Sequence, residues 1–403
     1  MGEMTGKKMP HGLKKWLLRV YNRVLNIPEF IEKQYTKIYS KLCRVKPKKV
    51  VFSNFFGRPY GDNPKYITEE LRARCPEWDM VWLLSNTALP LPEGVRAVQF
   101  GSWRAIREMA SAKFLVFNIR NIYRPKKKNG QVYLQTWHGG LAFKACEGAV
   151  PNLNPVYVKA AKLDGENCDG IISSCGLRTE EYRKYFWLNQ STEILETGLP
   201  RNDKLFDSDT VRRAALEVRK TLRIAENKKI VLYMPTFRDD RSVDGYKLDH
   251  QGVLDAFEKR FGGEFVMAVR LHPNVQDQAD LITYGDWIVN ATQYPDAQEL
   301  YMAADYLITD YSSAAFDFAL LDRPVFLCAL DHEKYSTDRG LTDIFQQCPF
   351  PRAYTNSEMV QCVEDFSQEE YEARFVDFGK KWRPFDRGDA AQRIVDWMIS
   401  KNK

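Results

Sequence analysis

The chain has 403 residues, 44% of them hydrophobic and 13% aromatic, which is the composition of a folded protein and not of a disordered one. This length is enough for two domains of ordinary size. The eight cysteines include no Cys-x-x-Cys pair, so the sequence predicts neither a disulfide framework nor a structural zinc site. No apolar run approaches the roughly 18 residues that span a bilayer, and no signal peptide is recognisable, so we expect the protein to remain in the cytosol.

The net charge of +6 is unevenly distributed along the chain. Residues 1–50 hold 13 Lys and Arg against 3 Asp and Glu, which leaves 46 against 50 for all later residues. Because the basic surplus is local, we do not expect a nucleic acid bound along the surface. The sequence instead predicts a cationic N-terminal segment that binds an anionic surface.

This basic segment has the spacing of amphipathic helices. Seven apolar residues lie on one helix face: Leu13, Trp16, Leu17, Val20, Tyr21, Val24 and Leu25. A similar stripe follows Pro28, and lysines and arginines flank both stripes. We predict that residues 1–47 form cationic helices and that residues 13–45 contact the anionic inner surface of a membrane. The alternative is that these helices pack on the body of the protein or on a second copy in a homo-oligomer.

From Lys49 onward, short apolar runs alternate with helical stretches, which is typical of parallel, doubly wound sheets. The alternation occurs twice, and the two series meet near residues 195–225. We therefore predict an α/β fold of two Rossmann-like domains that face a cleft, residues 48–200 and residues 201–403. After Pro384 the last helical stretch is expected to cross back to the first domain. In such folds the ligand binds beyond the carboxyl ends of the strands.

One stretch, residues 305–328, has the pattern of a complete βαβ unit. A strand leads through a polar turn to a helix predicted at Ala314–Leu321 and on to a second strand. Ser312 or Ser313 would cap this helix, and the free backbone N–H groups there, with the helix dipole, would bind phosphate. The alternative is that Asp310 and the two serines only cap the helix.

Two of the five histidines directly follow predicted strands. His138 is succeeded by Gly139 and Gly140, which let the backbone turn sharply and leave the imidazole facing the crevice. A histidine so placed suits a general base. His272 lies before Pro273 at a strand end of the second half. Either histidine alone is more often structural, but a pair at equivalent strand ends indicates a functional site.

A third candidate, Arg238, follows a predicted strand of the second half. Its guanidinium suits bidentate contact with phosphate oxygens, and the alternative is a surface ion pair with Asp239 or Asp240. The turn Gly198–Asp203 carries one cation and fits a domain hinge as well as a ligand contact.

Several well-known motifs are absent from the sequence. It has no Walker A pattern, G-x-G-x-x-G, H-E-x-x-H or G-x-S-x-G, which argues against P-loop NTPases, typical dinucleotide dehydrogenases, zincins and α/β-hydrolases. It also lacks a strand-end D-x-D pair that would hold a nucleotide diphosphate through a metal. The remaining interpretation is a phosphate pocket facing a base, in a transferase that acts on a nucleotide-activated, phosphate-bearing donor. The pocket would comprise Arg238, His272, Ser312 and Ser313.

Taken in order, the motifs QTWHGG, TGLPRND, YMPTFR, RLHP and ITDYSSAAFDFALLDRPVF resemble the CDP-glycerol glycerophosphotransferase family, the teichoic-acid primases and polymerases of bacterial envelopes. The resemblance covers roughly residues 110–395. It implies a GT-B-like fold and a CDP-alditol donor such as CDP-glycerol. It also implies transfer of the alditol phosphate to a hydroxyl of a lipid-linked glycan, with release of CMP. The implied location is the bacterial cytoplasm, peripheral on the inner face of the cell membrane, and no metal or other cofactor is expected.

The resemblance also implies roles for individual residues. His138 matches the histidine that deprotonates the acceptor hydroxyl, and His272 is expected to take part in catalysis. The residues expected to bind the donor phosphates are Arg238, His272, Ser312 and Ser313. Further donor-site residues are expected to be Thr236, Asp310, Pro200 and Arg201. The acceptor side is expected to include Gly139, Gly140 and Lys144.

The sequence departs from the family pattern at two places. Many relatives resemble W-H-G-T-P-L-K-K, whereas Gly140 is followed here by LAFK, so acceptor contacts are expected to differ. The stretch Arg339–Asp343 keeps only part of a region that often resembles R-G-F-Y-F-D-Y, which leaves the alditol open between glycerol, ribitol and another polyol. Two further alternatives are a GT-B glycosyltransferase that uses a nucleotide sugar and a non-catalytic scaffold for envelope assembly.

Overall fold

The computed structural model of the protein describes residues 38, 42–120, 127–238, 240–242, 244–272, 275, 277–279 and 282–402. The predicted N-terminal amphipathic helices lie almost entirely outside the described residues. Within these ranges, every helix is too short or too polar to span the hydrocarbon core of a bilayer.

Seven parallel strands form the first sheet, in the spatial order β3-β2-β1-β4-β5-β6-β7. They are β1 (Lys46–Ser53), β2 (Asp79–Leu84), β3 (Val95–Gln99), β4 (Ala112–Phe117), β5 (Val132–Gln135), β6 (Gly170–Ile172) and β7 (Glu193–Leu195). The strand order reverses between β1 and β4, which pair in parallel. Such a topological switch point is where open α/β sheets bind their ligands.

Helices cover both faces of this sheet: α1 (Asp62–Arg74), α2 (Trp103–Ser111), α3 (Pro155–Asn167) and α4 (Gly176–Tyr185), with a 3-10 turn at Glu147–Ala149. Their apolar side chains and those of the strands form two hydrophobic clusters. One cluster contains Phe52 and Trp82, and the other contains Val51 and Phe117. Neighbouring residues of β1 belong to different clusters because successive side chains of a strand point to opposite faces.

Six parallel strands form the second sheet, in the order β10-β9-β8-β11-β12-β13. They are β8 (Lys229–Met234), β9 (Phe265–Val269), β10 (Ile288–Asn290), β11 (Tyr306–Thr309), β12 (Val325–Cys328) and β13 (Arg352–Ala353). This order repeats that of β1–β6 in the first sheet, so the second switch point lies between β8 and β11.

The second domain begins after a 3-10 helix, Pro200–Phe206, and contains a second 3-10 turn at Asp244–Tyr246. Its α-helices are α5 (Ser208–Leu222), α6 (His250–Phe261), α7 (Ala297–Ala303), α8 (Ala314–Ala319), α9 (His332–Arg339), α10 (Ile344–Gln347), α11 (Asn356–Glu364) and α12 (Gln368–Trp382). The helix predicted to end at Leu321 therefore ends two residues earlier, at Ala319.

The last helix, α13 (Ala390–Ser400), packs on the first domain although it follows the second in sequence. Its Ile394 and Met398 are fully buried in the cluster that contains Phe52. Trp397 Nε1 also donates a hydrogen bond of 2.9 Å to the carboxylate of Glu193 in β7. The second domain as a folded unit thus ends before α13, and the chain crosses back to the first sheet.

The two domains also share a loop. Phe143, which follows β5 in the first domain, is fully buried in the hydrophobic cluster of the second domain. Its ring centroid lies 4.9 Å from that of Phe316 and 5.4 Å from that of Phe345. The next residue, Lys144, forms an antiparallel bridge with Leu341. The loop that departs from the family pattern, LAFK, therefore packs into the second domain.

Candidate active site

At the switch point of the first sheet, two asparagines join the ends of the central strands. Asn54 follows β1 and Asn118 follows β4, and Asn118 Nδ2 donates to Asn54 Oδ1 at 2.8 Å. Asn118 Oδ1 accepts a hydrogen bond of 2.9 Å from the backbone N–H of Phe55. The amide side chain of Asn118 is thus fully engaged, and its backbone carbonyl points to a third element.

That third element is His138, just beyond β5. The carbonyl oxygen of Asn118 lies 3.0 Å from His138 Nδ1. Because a carbonyl only accepts hydrogen bonds, Nδ1 carries the proton and Nε2 is left as the basic nitrogen. The ring is held between Trp137 and Phe55, at centroid distances of 4.5 and 5.1 Å. Burial lowers the pKa of His138, so the ring is neutral and able to take a proton, as a general base requires.

The two glycines after His138 lie against the second domain. A Cβ on Gly139 would lie 3.6 Å from Ser313 Oγ, and a Cβ on Gly140 would lie 3.6 Å from Asp317 Oδ1 and 3.3 Å from Ser174 Oγ. The loop that carries His138 therefore lies directly opposite the polar turn that precedes α8. The structure thus brings together the predicted base and the predicted phosphate-binding turn.

In that turn the two serines behave differently. Ser312 Oγ accepts a hydrogen bond of 3.2 Å from the N–H of Ala314, whereas Ser313 makes no side-chain cap. Both serines are partly exposed. Helix capping therefore accounts for Ser312, and Ser313 is available to a ligand.

Arg238 is more deeply buried than the sequence analysis predicts. Its side chain is 5% exposed and forms ion pairs with Asp310 at 3.0 Å and with Asp331, and its Nη1 donates to the carbonyl of Thr236. The surface pair with Asp240 is not formed, since Asp240 pairs with Lys334; Asp239 lies outside the described residues. All three guanidinium nitrogens, Nε, Nη1 and Nη2, already have partners within the protein. Direct contact of Arg238 with phosphate stays a prediction, and these contacts argue against it.

Thr236 and Asp310 join the strand ends at the second switch point. The carboxylate of Asp310, which follows β11, accepts hydrogen bonds from the Thr236 N–H at 2.9 Å and from the Thr236 hydroxyl at 2.6 Å, beyond β8. It also accepts from the N–H of Tyr311 at 2.6 Å. The sequence predicts both as donor-site residues, and their positions favour a supporting role beneath the site.

Arg201, in the turn that begins the 3-10 helix with Pro200, links both domains. Its guanidinium pairs with Asp62 of α1 at 2.8 Å and with Asp317 of α8 at 2.8 Å. It also donates to the backbone carbonyl of His138 at 2.8 Å. Of the two alternatives left open by the sequence, the structure favours the hinge over the ligand contact for this turn.

His272, beyond β9, is surrounded by positive charge. Burial and the nearby charges of Arg58, Lys144 and Arg270 lower the pKa of His272 to about 4. Arg58 and Lys144 belong to the first domain, so cations of both domains converge on this histidine. The position of Lys144, with its Nζ 5.5 Å from the ring centroid of Tyr335 in α9, favours the donor side over the acceptor side predicted from the sequence.

Arg270 is a further cation near His272 that the sequence does not predict for the site. Its Nη1 donates to the carbonyl of Tyr294, and burial lowers its pKa. Among the described residues, no carboxylate forms an ion pair with it. A partly buried guanidinium without a carboxylate ion pair is stabilised when an anion binds it. The only sequence signal for Arg270 is its place in the RLHP motif, and Arg58, Asn118 and Asp62 have no motif at all.

A family model described as CDP-Glycerol:Poly(glycerophosphate) glycerophosphotransferase matches residues 35–400. The chain belongs to this family. It is 31% identical to a teichoic acid poly(glycerol phosphate) polymerase of Staphylococcus epidermidis, over 96% of this chain and 55% of that protein. The chain thus spans about half the length of the first relatives it matches. A teichoic acid poly(glycerol phosphate) polymerase of Bacillus spizizenii is 28% identical, over 90% of this chain and 96% of that protein.

Among solved structures, the wall teichoic acid polymerase TagF is similar with a TM-score of 0.80 and 29% identity, over 98% of both chains, in a variant form. The family prediction and the predicted GT-B-like fold of two Rossmann-like domains are therefore confirmed. Within the described ranges, no three His, Cys, Asp or Glu side chains are placed to hold a metal ion. The roles of individual family-motif residues and the expected absence of a cofactor stay predictions.

Proposed function

We propose that this glycerophosphotransferase-family protein transfers glycerol phosphate from CDP-glycerol to a hydroxyl of a lipid-linked, teichoic-acid-type acceptor and releases CMP. The proposal rests on two histidines, one on each domain, that have different surroundings. His138 offers one basic nitrogen, and His272 lies among three cations. A pyrophosphate would be bound by those cations, and a hydroxyl nucleophile would be deprotonated by that nitrogen.

The names of the relatives support glycerol as the alditol. The relatives at 31% and 28% identity are named for glycerol phosphate, whereas those named for ribitol phosphate are 24% identical. One solved TagF structure comes from a crystal soaked with CDPG. We therefore propose CDP-glycerol as the donor, with CDP-ribitol as the donor to test beside it.

In the proposed reaction, Nε2 of His138 accepts the proton of the acceptor hydroxyl while that oxygen attacks the β-phosphorus of the donor in line. The bond from the β-phosphorus to the bridging oxygen breaks, and CMP leaves with the electron pair. Arg58, Lys144 and Arg270 stabilise the negative charge on the pyrophosphate. His272 is neutral before the donor binds, and the negative charge of the donor raises its pKa and strengthens its hydrogen bond to phosphate.

The remaining motif residues divide into two groups in this proposal. Ser313 contacts a donor phosphate beside the cap formed by Ser312, while Arg238, Thr236 and Asp310 hold the ends of β8 and β11 beneath it. No metal or other cofactor is included, because the convergent cations supply the positive charge that Mg²⁺ supplies in many other phosphoryl transferases.

The decisive experiment traces the donor phosphorus. The purified full chain is offered CDP-glycerol labelled with ³²P at the β-phosphate, with a lipid-linked glycan acceptor, and CDP-ribitol and a nucleotide sugar are offered in parallel. We expect the label to move to the acceptor and unlabelled CMP to appear. Label released as CDP would instead indicate transfer without the phosphate, as in a glycosyltransferase, and no turnover of any donor would support the scaffold alternative.

A matched pair of histidine variants controls this experiment. His138→Ala should remove the acceptor-dependent release of CMP. His250→Gln, in α6 of the second domain and outside the proposed site, should turn over as the wild type does. Equal loss in both variants would show that removal of a histidine acts through folding and would contradict the base role.

We further propose that residues 13–45 hold the protein on the anionic inner face of the cell membrane, where the lipid-linked acceptor lies. The support is the composition of residues 1–50, which hold 13 cationic and 3 anionic residues. The full chain should sediment with vesicles that contain phosphatidylglycerol and detach as salt is raised. Equal binding to purely zwitterionic vesicles would contradict the electrostatic part of this proposal.

A further inference from the structure

Asp62 is the first residue of α1 and has an unusual backbone. Its φ angle is +55°, in the left-handed region that side chains other than glycine rarely adopt. Its side chain is only 12% exposed. A strained, nearly buried carboxylate persists only where its surroundings fix it, so the contacts of Asp62 indicate what it does.

Asn118 and Arg201 each form a hydrogen bond with His138, and each also donates a hydrogen bond to one carboxylate oxygen of Asp62. Oδ2 accepts from Asn118 Nδ2 at 2.6 Å, and the carbonyl of Asn118 binds the imidazole Nδ1 at 3.0 Å. Oδ1 accepts from Arg201 Nη1 at 2.8 Å, and the same Nη1 donates to the His138 carbonyl at 2.8 Å. Both the ring and the backbone of His138 are thus positioned through Asp62.

Asp62 also opposes the other charges that face His138. Burial lowers the pKa of His138, and so do the positive charges of Arg178 and Arg201, whereas the hydrogen bond with Asn118 and the negative charge of Asp62 raise it. The rings of Phe55 and Trp137 complete the surroundings. When His138 takes a proton, a positive charge forms in a buried site, and a nearby carboxylate favours it.

We propose that Asp62 is the positioning residue for His138: it fixes the ring and backbone through Asn118 and Arg201, and it stabilises the imidazolium that forms when the acceptor hydroxyl is deprotonated. This inference rests on the proposed base role of His138. Its placement explains why the loop between β1 and α1, which has no recognisable motif, borders the site.

The first test needs no substrate. The imidazole signals of the five histidines are titrated by NMR in protein labelled at histidine Cε1, with His138 assigned by its absence in His138→Ala. In Asp62→Asn the pKa of His138 should fall, because a negative charge that raises it is gone. Glu108→Gln is the matched control: Glu108 is 13% exposed and bridges Lys49 and Arg96 within the first domain, and its loss should leave the His138 signal in place.

The second test uses turnover of CDP-glycerol. Asp62→Asn should lower kcat by about 10- to 100-fold through misplacement of the base, with KM for the donor changed less than about twofold. The acid limb of kcat/KM should move to lower pH, since a base of lower pKa stays unprotonated further into acid. Asp62→Glu, which restores the charge, should return the acid limb toward that of the wild type.

Asp62→Ser is a second uncharged variant, and both should shift the His138 titration in the same direction. An unchanged titration and an unchanged kcat in either folded variant would overturn the proposal. Failure of both variants to fold would also overturn it, because Asp62 would then be a folding residue. If the titration shifts but no donor is consumed by the wild type, the positioning stands and the proposed function fails.

Discussion

The two domains have the same strand order around their switch points, yet the residues at those points differ in charge. In the first domain, neutral amides join β1 to β4, and Asn118 orients a neutral histidine. In the second, Asp310 and Arg238 form a buried ion pair between β11 and β8, and cations surround His272. The shared topology brings strand ends together, and in the proposed function the residues placed there decide whether that edge accepts a proton or binds an anion.

The buried ion cluster of the second domain illustrates the difference. Two carboxylates flank Arg238, and the rings of Tyr311 and Tyr335 lie 5.2 and 4.8 Å from its guanidinium carbon. Buried ion pairs add little net stability because both charges lose their hydration, although the removal of one partner is costly. We infer that this cluster fixes the positions of the strand ends beneath the proposed phosphate site.

The largest effect should come from separating the roles of the two histidines. His138→Ala should lower kcat by about 10³- to 10⁴-fold and leave the affinity for CDP-glycerol within about twofold, because the base contacts the acceptor hydroxyl. His272→Ala should weaken donor binding as well as kcat. Isothermal titration with CDP-glycerol, beside steady-state kinetics, measures both quantities.

The contrary outcome is that His138→Ala and His272→Ala lose donor affinity to the same extent. If His138→Ala lost donor affinity as strongly as His272→Ala does, both histidines would bind the donor, and the division of labour between the domains would be wrong. A circular dichroism spectrum and a melting temperature near those of His250→Gln would show that the variants are folded.

Much of this division could be predicted from the sequence, because the strands and their polar ends are local features. β11 and β12 are the two strands of the βαβ unit predicted at residues 305–328, since short apolar runs between turn residues specify buried strands. The partners of Arg238 could not be predicted, because Asp331 lies 93 residues further along the chain. The same holds for Arg58 and Asp62, whose loop has no motif and whose neighbours at the site, Asn118, Arg201 and His272, lie far along the chain.

The next largest effect should come from removing the Phe143 side chain, which packs into the second domain. Phe143→Ala should lower the free energy of unfolding by about 3–5 kcal/mol, as for other large buried aromatic side chains. It should also raise KM for the donor, because Lys144 would lose its backbone bridge to Leu341. Urea denaturation and steady-state kinetics measure these effects.

Phe114→Ala is the matched control, since Phe114 is fully buried inside the first domain. It should lose comparable stability with KM unchanged. If both variants raised KM equally, general loosening would explain the effect, and the loop would not be a specific link between the domains.

Arg270 should give a smaller effect, confined to the second domain. Arg270→Ala should lower kcat/KM by about 10- to 100-fold, the effect of one or two hydrogen bonds to a charged group. Arg270→Lys keeps the charge but not the planar fork, so it should lose less. Arg212→Ala, at an exposed position of α5, should leave kcat/KM unchanged. An Arg270→Ala variant with wild-type kcat/KM would remove Arg270 from the anion site.

The smallest effect tests the segment that returns to the first domain. Burial raises the pKa of Asp386 to about 7, helped by the charges of Asp317 and Asp203, and its Oδ1 accepts from the N–H of Leu199 at 2.8 Å. Because the folded pKa exceeds the unfolded one, the folded state holds more protons, and this group lowers stability progressively as pH rises from about 4 to 7. Asp386→Asn keeps the acceptor without the charge, so it should be more stable than the wild type by about 1–2 kcal/mol at pH 8 and nearly equal to it at pH 4.5. Urea denaturation at both pH values measures the difference, and a variant that is less stable at pH 8 would show that the Asp386 carboxylate stabilises the hinge as an anion.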